Sequence, residues 1–113
     1  MESRNAISSL AALAQETRLA IYRLLVEAGP TGQSVGEIGA AVPTAPATLS
    51  FHLKELANAG LIQARQDGRY IFYSANYEHM NTLLAFLTEN CCARDACAPG
   101  CGPEKKLWQR SKA

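Results

Sequence analysis

The chain has 113 residues, of which 48% are hydrophobic and 19% charged, enough apolar material for one folded domain and too little chain for two independent cores. The formal net charge is only +1, so a nucleic-acid partner can be argued only from local charge. The first five residues are polar, unlike a signal peptide, and no apolar run reaches the roughly 20 residues that span a bilayer. We therefore expect a cytoplasmic protein without a membrane partner.

Two helices are predicted before residue 30. Residues 6–14 carry apolar side chains at helical spacing, which predicts the first helix. Residues 17–28 continue with a broad apolar face, so we expect the second helix to lie at the centre of the core. The pair Gly29-Pro30 ends this helix, since proline cannot continue its hydrogen-bond ladder.

A short third helix and a longer fourth helix follow, separated by Pro43. The stretch Ser34-Val35-Gly36-Glu37 has the capping-box pattern, in which the serine hydroxyl and the glutamate satisfy each other's backbone N–H groups. Thr44 is expected to cap the fourth helix, with Pro46 in its first turn. This helix is predicted to end near Asn58, with Gly60 as its C-terminal stop.

Apolar spacing predicts which side of these two helices is buried. In the third helix the residues expected to face the core are Val35, Ile38 and Val42. In the fourth helix they are Leu49, Leu53 and Leu56. The polar side chains of the fourth helix are expected to reach solvent instead: Thr48, Ser50, His52 and Lys54.

A hairpin and a last helix complete the predicted elements. Residues 61–65 and 70–74 resemble strands, and Asp67-Gly68 between them indicates a tight turn, because both residue types accept positive φ. Asn76 is expected to cap a helix that runs to about residue 90. Its apolar stripe consists of Tyr77, Met80, Leu83, Leu84 and Leu87. The predicted fold is therefore mainly α with a small β-hairpin, arranged as a winged helix-turn-helix.

Several motifs in this order resemble the ArsR/SmtB family of winged-helix metal-responsive repressors. They are Glu16-Thr17-Arg18-Leu19, the run from Thr48 to Leu56, Ala59-Gly60-Leu61-Ile62, and the run from Asp67 to Tyr73. The resemblance covers about residues 11–92. It implies a homodimer paired through the first and last helices, a recognition helix in the major groove of operator DNA, and a wing on the DNA backbone or minor groove.

Position within the family pattern implies that Thr48, Ser50 and His52 face DNA from the recognition helix and that Arg69 is the wing residue. The residue types fit, since short polar side chains leave room for close approach to base edges and cations contact phosphates. The full set of DNA-binding candidates is Thr44, Pro46, Thr48, Ser50, His52, Lys54 and Arg69. Arg65 is a further candidate for a phosphate contact.

The sequence departs from the family at one sensing site. Well-known arsenic and cadmium sensors carry Cys-Val-Cys on the third helix, and here Ser34-Val35-Gly36-Glu37 offers no thiol. All four cysteines instead follow the last helix, at Cys91, Cys92, Cys97 and Cys101. The adjacent pair resembles an arsenic-responsive subgroup that senses through thiols at the end of that helix. We expect residues 1–90 to form the DNA-binding and dimerisation domain and residues 91–113 the inducer segment.

Clustered cysteines in a cytosolic protein favour metal binding or redox chemistry over a disulfide framework. Structural zinc usually prefers cysteine pairs with a short spacer, and a disulfide between adjacent cysteines is strained because their Cα atoms lie about 3.8 Å apart. Trivalent arsenic takes three thiolates, which Cys91, Cys92 and Cys97 supply. Cys97 is preferred to Cys101 because its shorter loop loses less entropy on closing. Arsenite is the predicted inducer, with antimonite a further candidate, and no organic cofactor is expected.

Three alternatives remain open. The same thiols can serve a redox-sensing repressor without metal. His79, with Glu78 and Glu89 nearby in sequence, is similar to part of a zinc site of some family members, although this helix has no second histidine. An enzyme such as a thiol-dependent arsenate reductase is disfavoured, because the chain lacks an anion-binding loop and a thioredoxin-like Cys-x-x-Cys.

Overall fold

The computed structural model describes residues 1–94, which form helices packed on a three-stranded antiparallel sheet. The helices are α1 (Ser3–Leu13), α2 (Glu16–Ala28), α3 (Val35–Ala41), α4 (Pro46–Asn58) and α5 (Tyr77–Thr88). The strands are β1 (Gln33–Ser34), β2 (Ile62–Asp67) and β3 (Tyr70–Ala75), in the sheet order β1-β3-β2. The predicted winged helix-turn-helix is confirmed. The two-residue strand β1 was not predicted, because two residues carry no periodicity.

The core lies where α2, α3 and α4 meet the sheet. Its main buried side chains are Ile21, Leu25, Ile38, Leu49, Leu53, Leu56, Leu61 and Ile62. Each leucine or isoleucine buried in this way contributes about 1.5–3 kcal/mol of transfer free energy. The prediction that Val35 faces the core is wrong: it is the first residue of α3 and is 38% exposed, whereas Ile38 in the next turn is fully buried.

The two helices of the helix-turn-helix begin differently. At α3, the Ser34 hydroxyl accepts from the Glu37 N–H at 3.2 Å and the Ser34 N–H donates to the Glu37 carboxylate at 2.8 Å, so the predicted capping box is confirmed. The residue capping α4 is Ala45, which makes no side-chain cap, so the prediction of Thr44 as the cap is wrong. Pro46 occupies the first turn as predicted, where a missing N–H costs nothing.

The wing is the β2–β3 hairpin. Asp67 pairs with Tyr70, so the two turn residues are Gly68 and Arg69 rather than the predicted Asp67 and Gly68. Gly68 has φ +64°, and a glycine at the first of two turn positions fits a type II′ turn. This register places Arg69 at the tip of the wing.

Helices α1 and α5 leave apolar side chains uncovered. Asn76 caps α5 as predicted, its side chain accepting from the His79 N–H at 3.1 Å. Within α5 the fully buried residue is Leu83, while Leu84 and Leu87 are 42% and 51% exposed. In α1, Ile7 and Leu10 are 66% and 43% exposed. Among residues 1–94, no helix has the length and apolar character needed to cross a membrane.

Candidate DNA-binding surface and thiol pair

Helix α4 separates its buried side from an outward polar side. Its buried residues lie at helical spacing and hold it against the core: Leu49, His52, Leu53 and Leu56. Thr48, Ser50 and Lys54 are exposed, as is Pro46 at the start of the helix. Thr44 is half-buried in the preceding loop. Most of the predicted DNA-facing side chains of this helix are therefore accessible, with Thr48 and Ser50 on opposite flanks of its exposed part.

His52 does not belong to that surface. It is 7% exposed, and its Nδ1 lies 3.4 Å from a guanidinium nitrogen of Arg18. The expectation that it reaches solvent is wrong because position 52 follows Leu49 by three residues and precedes Leu56 by four, which places it on the buried side of α4. Arg18 in turn donates from Nε to the Ala12 carbonyl at 2.7 Å. His52 thus joins α4 to α2 and, through Arg18, to the end of α1.

The two arginines of the wing have different surroundings. Arg65 donates to the Thr31 carbonyl at 3.2 Å, and its guanidinium carbon lies 5.2 Å from the centre of the Phe72 ring. These contacts tie the wing to the loop before β1. Arg69 is exposed at the hairpin tip. A cation at an exposed hairpin tip is suited to contact a phosphate.

Two of the four predicted thiols lie together just after α5. The Cys91 and Cys92 Sγ atoms are 3.6 Å apart, well beyond the roughly 2.05 Å of a disulfide bond. The Cys91 N–H donates to the Thr88 carbonyl at 3.1 Å, which extends the last turn of α5. Cys91 is exposed and Cys92 half-buried. Side by side, they can contact one ion.

The backbone around the pair is unusual. Asn90 has φ +58° and Cys92 has φ +59°, the left-handed region. Asparagine tolerates this conformation, whereas at most other residues it costs about 1–2 kcal/mol. Strain of this kind is common at ligand-binding positions.

The other two predicted ligands, Cys97 and Cys101, lie outside the described residues. Within residues 1–94, no group of three or more histidine, cysteine or acidic side chains is placed to hold a metal ion. The described part of the chain therefore supplies two thiols of a predicted three-thiolate site.

His79 makes a contact that the sequence did not suggest. Its Nε2 lies 2.8 Å from the hydroxyl of Ser9, which is fully buried in α1. Ser9 donates to the Asn5 carbonyl at 3.0 Å, so the simplest arrangement has His79 donating from Nε2 to the Ser9 oxygen. The imidazole thus fastens α5 to α1, and that nitrogen is occupied by a protein partner rather than directed toward a zinc ligand set.

Comparison with known proteins supports this architecture. Residues 13–63 match the family model described as a helix-turn-helix domain. Over 81 residues the chain is 36% identical to the arsenical resistance operon repressor of Bacillus subtilis strain 168, which covers 72% of this chain and 73% of that protein.

Two solved structures are similar to most of this chain. One is an ArsR-like transcriptional regulator from Rhodococcus sp. RHA1, with a TM-score of 0.69, 30% identity, and coverage of 80% of this chain and 82% of that chain. The other is the homodimeric winged helix-turn-helix DNA-binding domain of a possible ArsR-family regulator from Mycobacterium bovis, with a TM-score of 0.63, 30% identity, and coverage of 74% and 75%.

These similarities are to transcriptional regulators and not to enzymes. The residues matched by the family model, 13–63, include α2, α3 and α4. Taken with the observed element order, these similarities show that the chain belongs to the ArsR/SmtB family of winged-helix transcriptional regulators.

Proposed function

We propose that this protein is a cytoplasmic, homodimeric repressor that releases operator DNA when arsenite binds the thiolates after α5. The choice of arsenite as the inducer rests on one observation: the sulfur atoms of Cys91 and Cys92 lie 3.6 Å apart just after that helix. The similarity to a protein named as an arsenical resistance operon repressor supports the same choice.

The ligand set follows from the chemistry of thiolates. Soft sulfur ligands select thiophilic ions, and trivalent arsenic binds three thiolates as a pyramid. Cys91 and Cys92 supply two, Cys97 is the preferred third, and Cys101 is the alternative. Antimonite has the same preference for thiolates and is the second candidate inducer.

The DNA-binding surface in this proposal is the outward side of α4 together with the wing. Thr48 and Ser50 approach base edges, and Lys54 and Arg69 neutralise phosphates. Thr44 and Pro46 lie at the start of the helix, the end that usually enters the groove. A two-fold symmetric dimer then requires half-sites about 34 Å apart.

Dimerisation in this proposal uses the uncovered side chains of the first and last helices. Ile7 and Leu10 of α1 and Leu84 and Leu87 of α5 are each more than 40% exposed in the single chain. Covering each one in an interface gains transfer free energy, about 25 cal/mol for every Å² removed from water. The homodimeric state of the Mycobacterium bovis domain supports this choice.

The contacts of the described chain offer a route from the thiols to the DNA surface. The pair lies at the end of α5, and His79 of that helix bonds Ser9 of α1. The end of α1 accepts from Arg18, which reaches His52 of α4. Arsenite releases DNA in this scheme because it binds better to a dimer whose α1–α5 arrangement does not fit the operator.

The test is operator release followed by fluorescence anisotropy under reducing conditions, with arsenite, antimonite, cadmium and zinc titrated separately. Cys91→Ser and Cys92→Ser should bind DNA normally and lose release by arsenite, because a serine hydroxyl cannot replace a soft thiolate. Cys97→Ser should impair the response, and Cys101→Ser, the matched control, should matter less. A parental response to arsenite from both Cys91→Ser and Cys92→Ser would show that these thiols are not the sensor.

A thiol-redox repressor is the second candidate, because the same 3.6 Å separation places two oxidisable sulfurs together. An oxidant should then release DNA with no metalloid present, and a reductant should restore binding. Release by arsenite in excess reductant would exclude oxidation as the required signal. Release by zinc that survives all four cysteine substitutions would instead favour the family's zinc-responsive type.

A further inference from the structure

Phe51 is an exposed aromatic residue in the middle of α4. Its side chain is 53% exposed, although the helix buries its other large apolar residues, Leu49, Leu53 and Leu56. At 100° per residue, Phe51 points almost directly away from that buried side. Thr48 and Lys54, one turn before and one turn after it, are exposed as well. The phenyl ring therefore lies near the centre of the outward side of this helix.

A role within the single chain does not account for this ring. The ring contacts the neighbouring His52, at 5.7 Å between ring centroids and tilted by 59°. His52 is itself held in place by burial and by its contact with Arg18, so it supports one side of the Phe51 ring. The other large hydrophobic residues that are exposed in the described chain lie elsewhere in the fold, on α1, α2, α3, α5 and the wing. Phe51 is thus the one large hydrophobic side chain that α4 exposes.

The major groove offers one apolar group to such a side chain, the C5 methyl of thymine. A recognition helix that enters the groove places the centre of its outward side against base edges, while groups toward its ends reach phosphates. We propose that Phe51 is a specificity-determining residue that contacts a thymine methyl in each half-site. The proposal rests on the DNA-binding role argued above and adds a base preference that the polar residues do not provide.

The experiment begins with duplexes selected by the parent protein from a random-sequence pool. Thymines of the selected site are then replaced one at a time by deoxyuridine, which removes the methyl and keeps the hydrogen-bonding groups. Replacing the contacted thymine in one half-site should weaken the parent by about fourfold, the worth of one buried methyl-sized group, and replacing it in both half-sites by about 15-fold. Phe51→Ala removes the contact from both protomers of the dimer, so it should bind the thymine site about 15-fold more weakly and should no longer distinguish thymine from deoxyuridine there.

Two further variants keep the result interpretable. Phe51→Leu retains an apolar group and should keep part of the discrimination. Lys54→Ala should weaken binding to every sequence and lower its salt dependence, yet retain the parent's preference for thymine. Full discrimination by Phe51→Ala, or a parent indifferent to every thymine replacement, would overturn the assignment to Phe51 while leaving the repressor proposal intact. A parent that selects no sequence and binds no duplex would overturn both.

Discussion

Helices α4 and α5 have similar lengths, 13 and 12 residues, and are held in place differently. Four residues of α4 are buried by the chain's own core, whereas α5 buries Leu83 and packs Tyr77 and Met80 partly against it. The exposed leucines of α5 lie in its C-terminal half, next to the thiols. Contacts within a single chain therefore hold α4 along its length, whereas they hold α5 mainly in its first half.

The difference matches what the two helices are proposed to do. Side chains that read base edges must be held in one geometry, so a deeply anchored helix suits them. A sensor needs two arrangements of similar free energy. The end of α5 is easier to shift than α4, because its apolar side is not covered by the chain's own core. Cys91 and Cys92 follow α5, the less anchored helix. A bond from an inducer to these thiolates would form next to the exposed end of that helix.

The anchoring of α4 can be tested by removing part of it. Leu56 is fully buried, so Leu56→Ala should lower the free energy of unfolding by about 2–5 kcal/mol. The matched control in the same helix is Phe51→Ala, which should change it by less than about 1 kcal/mol because the ring is half-exposed. Urea unfolding at one fixed protomer concentration makes the comparison. Equal losses of unfolding free energy in the two variants would mean that the side of α4 that carries Leu56 does not hold the helix in place.

The weaker hold on α5 predicts that its outer side depends on a second copy. Leu87→Asp should place a charge in the α1–α5 interface and weaken dimerisation by about a hundredfold, while the helical circular dichroism of the chain persists. Ile71→Asp is the matched control, since Ile71 is 43% exposed but lies on the wing. Sedimentation over a concentration series measures both. A Leu87→Asp dimer as tight as the parent would exclude this half of α5 from the interface.

The sequence predicted the buried side of α4 correctly except at His52, for a physical reason. The spacing of Leu49, Leu53 and Leu56 determines a buried side within one chain, and packing then fixes the helix. His52 was misassigned because its polarity outweighed its position beside Leu53, and its partner Arg18 is distant in sequence.

Other features could not be read from local pattern at all. Strand β1 exists because Gly32 lets the chain approach Tyr73; a side chain at position 32, where φ is +80°, would clash with the Tyr73 carbonyl oxygen. The contact of His79 with Ser9 joins residues 70 apart in sequence. The pairing of Cys91 with Cys92 was expected from their adjacency, whereas the assignments of Cys97 and Cys101 stay predictions because they lie outside the described residues.

A smaller effect is expected at the wing. Arg69→Ala should weaken binding to all duplexes and reduce the magnitude of the slope of log K against log salt by about 2, because the dimer loses one phosphate contact at each of its two wings. Thr48→Ala and Ser50→Ala should instead change sequence preference with little change in that slope. Titrations at several salt concentrations separate the two behaviours. An unchanged affinity and salt slope for Arg69→Ala would remove the wing tip from the DNA-binding surface.

The smallest predicted effect concerns the start of α5, where the helix is docked on α2. The Tyr77 hydroxyl donates to the Val26 carbonyl at 3.0 Å. The pKa of Tyr22 is raised above its usual value near 10.0, mainly because the ring is buried and secondly because the Tyr77 phenol is nearby. Within residues 1–94, the buried Tyr22 hydroxyl has no hydrogen-bond partner. Tyr22→Phe should therefore change the free energy of unfolding at pH 7 by less than about 1 kcal/mol, or raise it.

The sign of the pH dependence follows from the raised pKa of Tyr22. Above about pH 10 the unfolded chain loses this proton before the folded chain does, so the free energy of unfolding falls as the pH rises further. Tyr22→Phe should make that fall shallower, while Tyr70→Phe, at a 64% exposed position, serves as the control. Denaturant unfolding between pH 8 and pH 11 measures the difference (roughly the range that brackets a tyrosine titration). An alkaline loss unchanged by Tyr22→Phe would show that burial does not raise the pKa of Tyr22 in the folded chain.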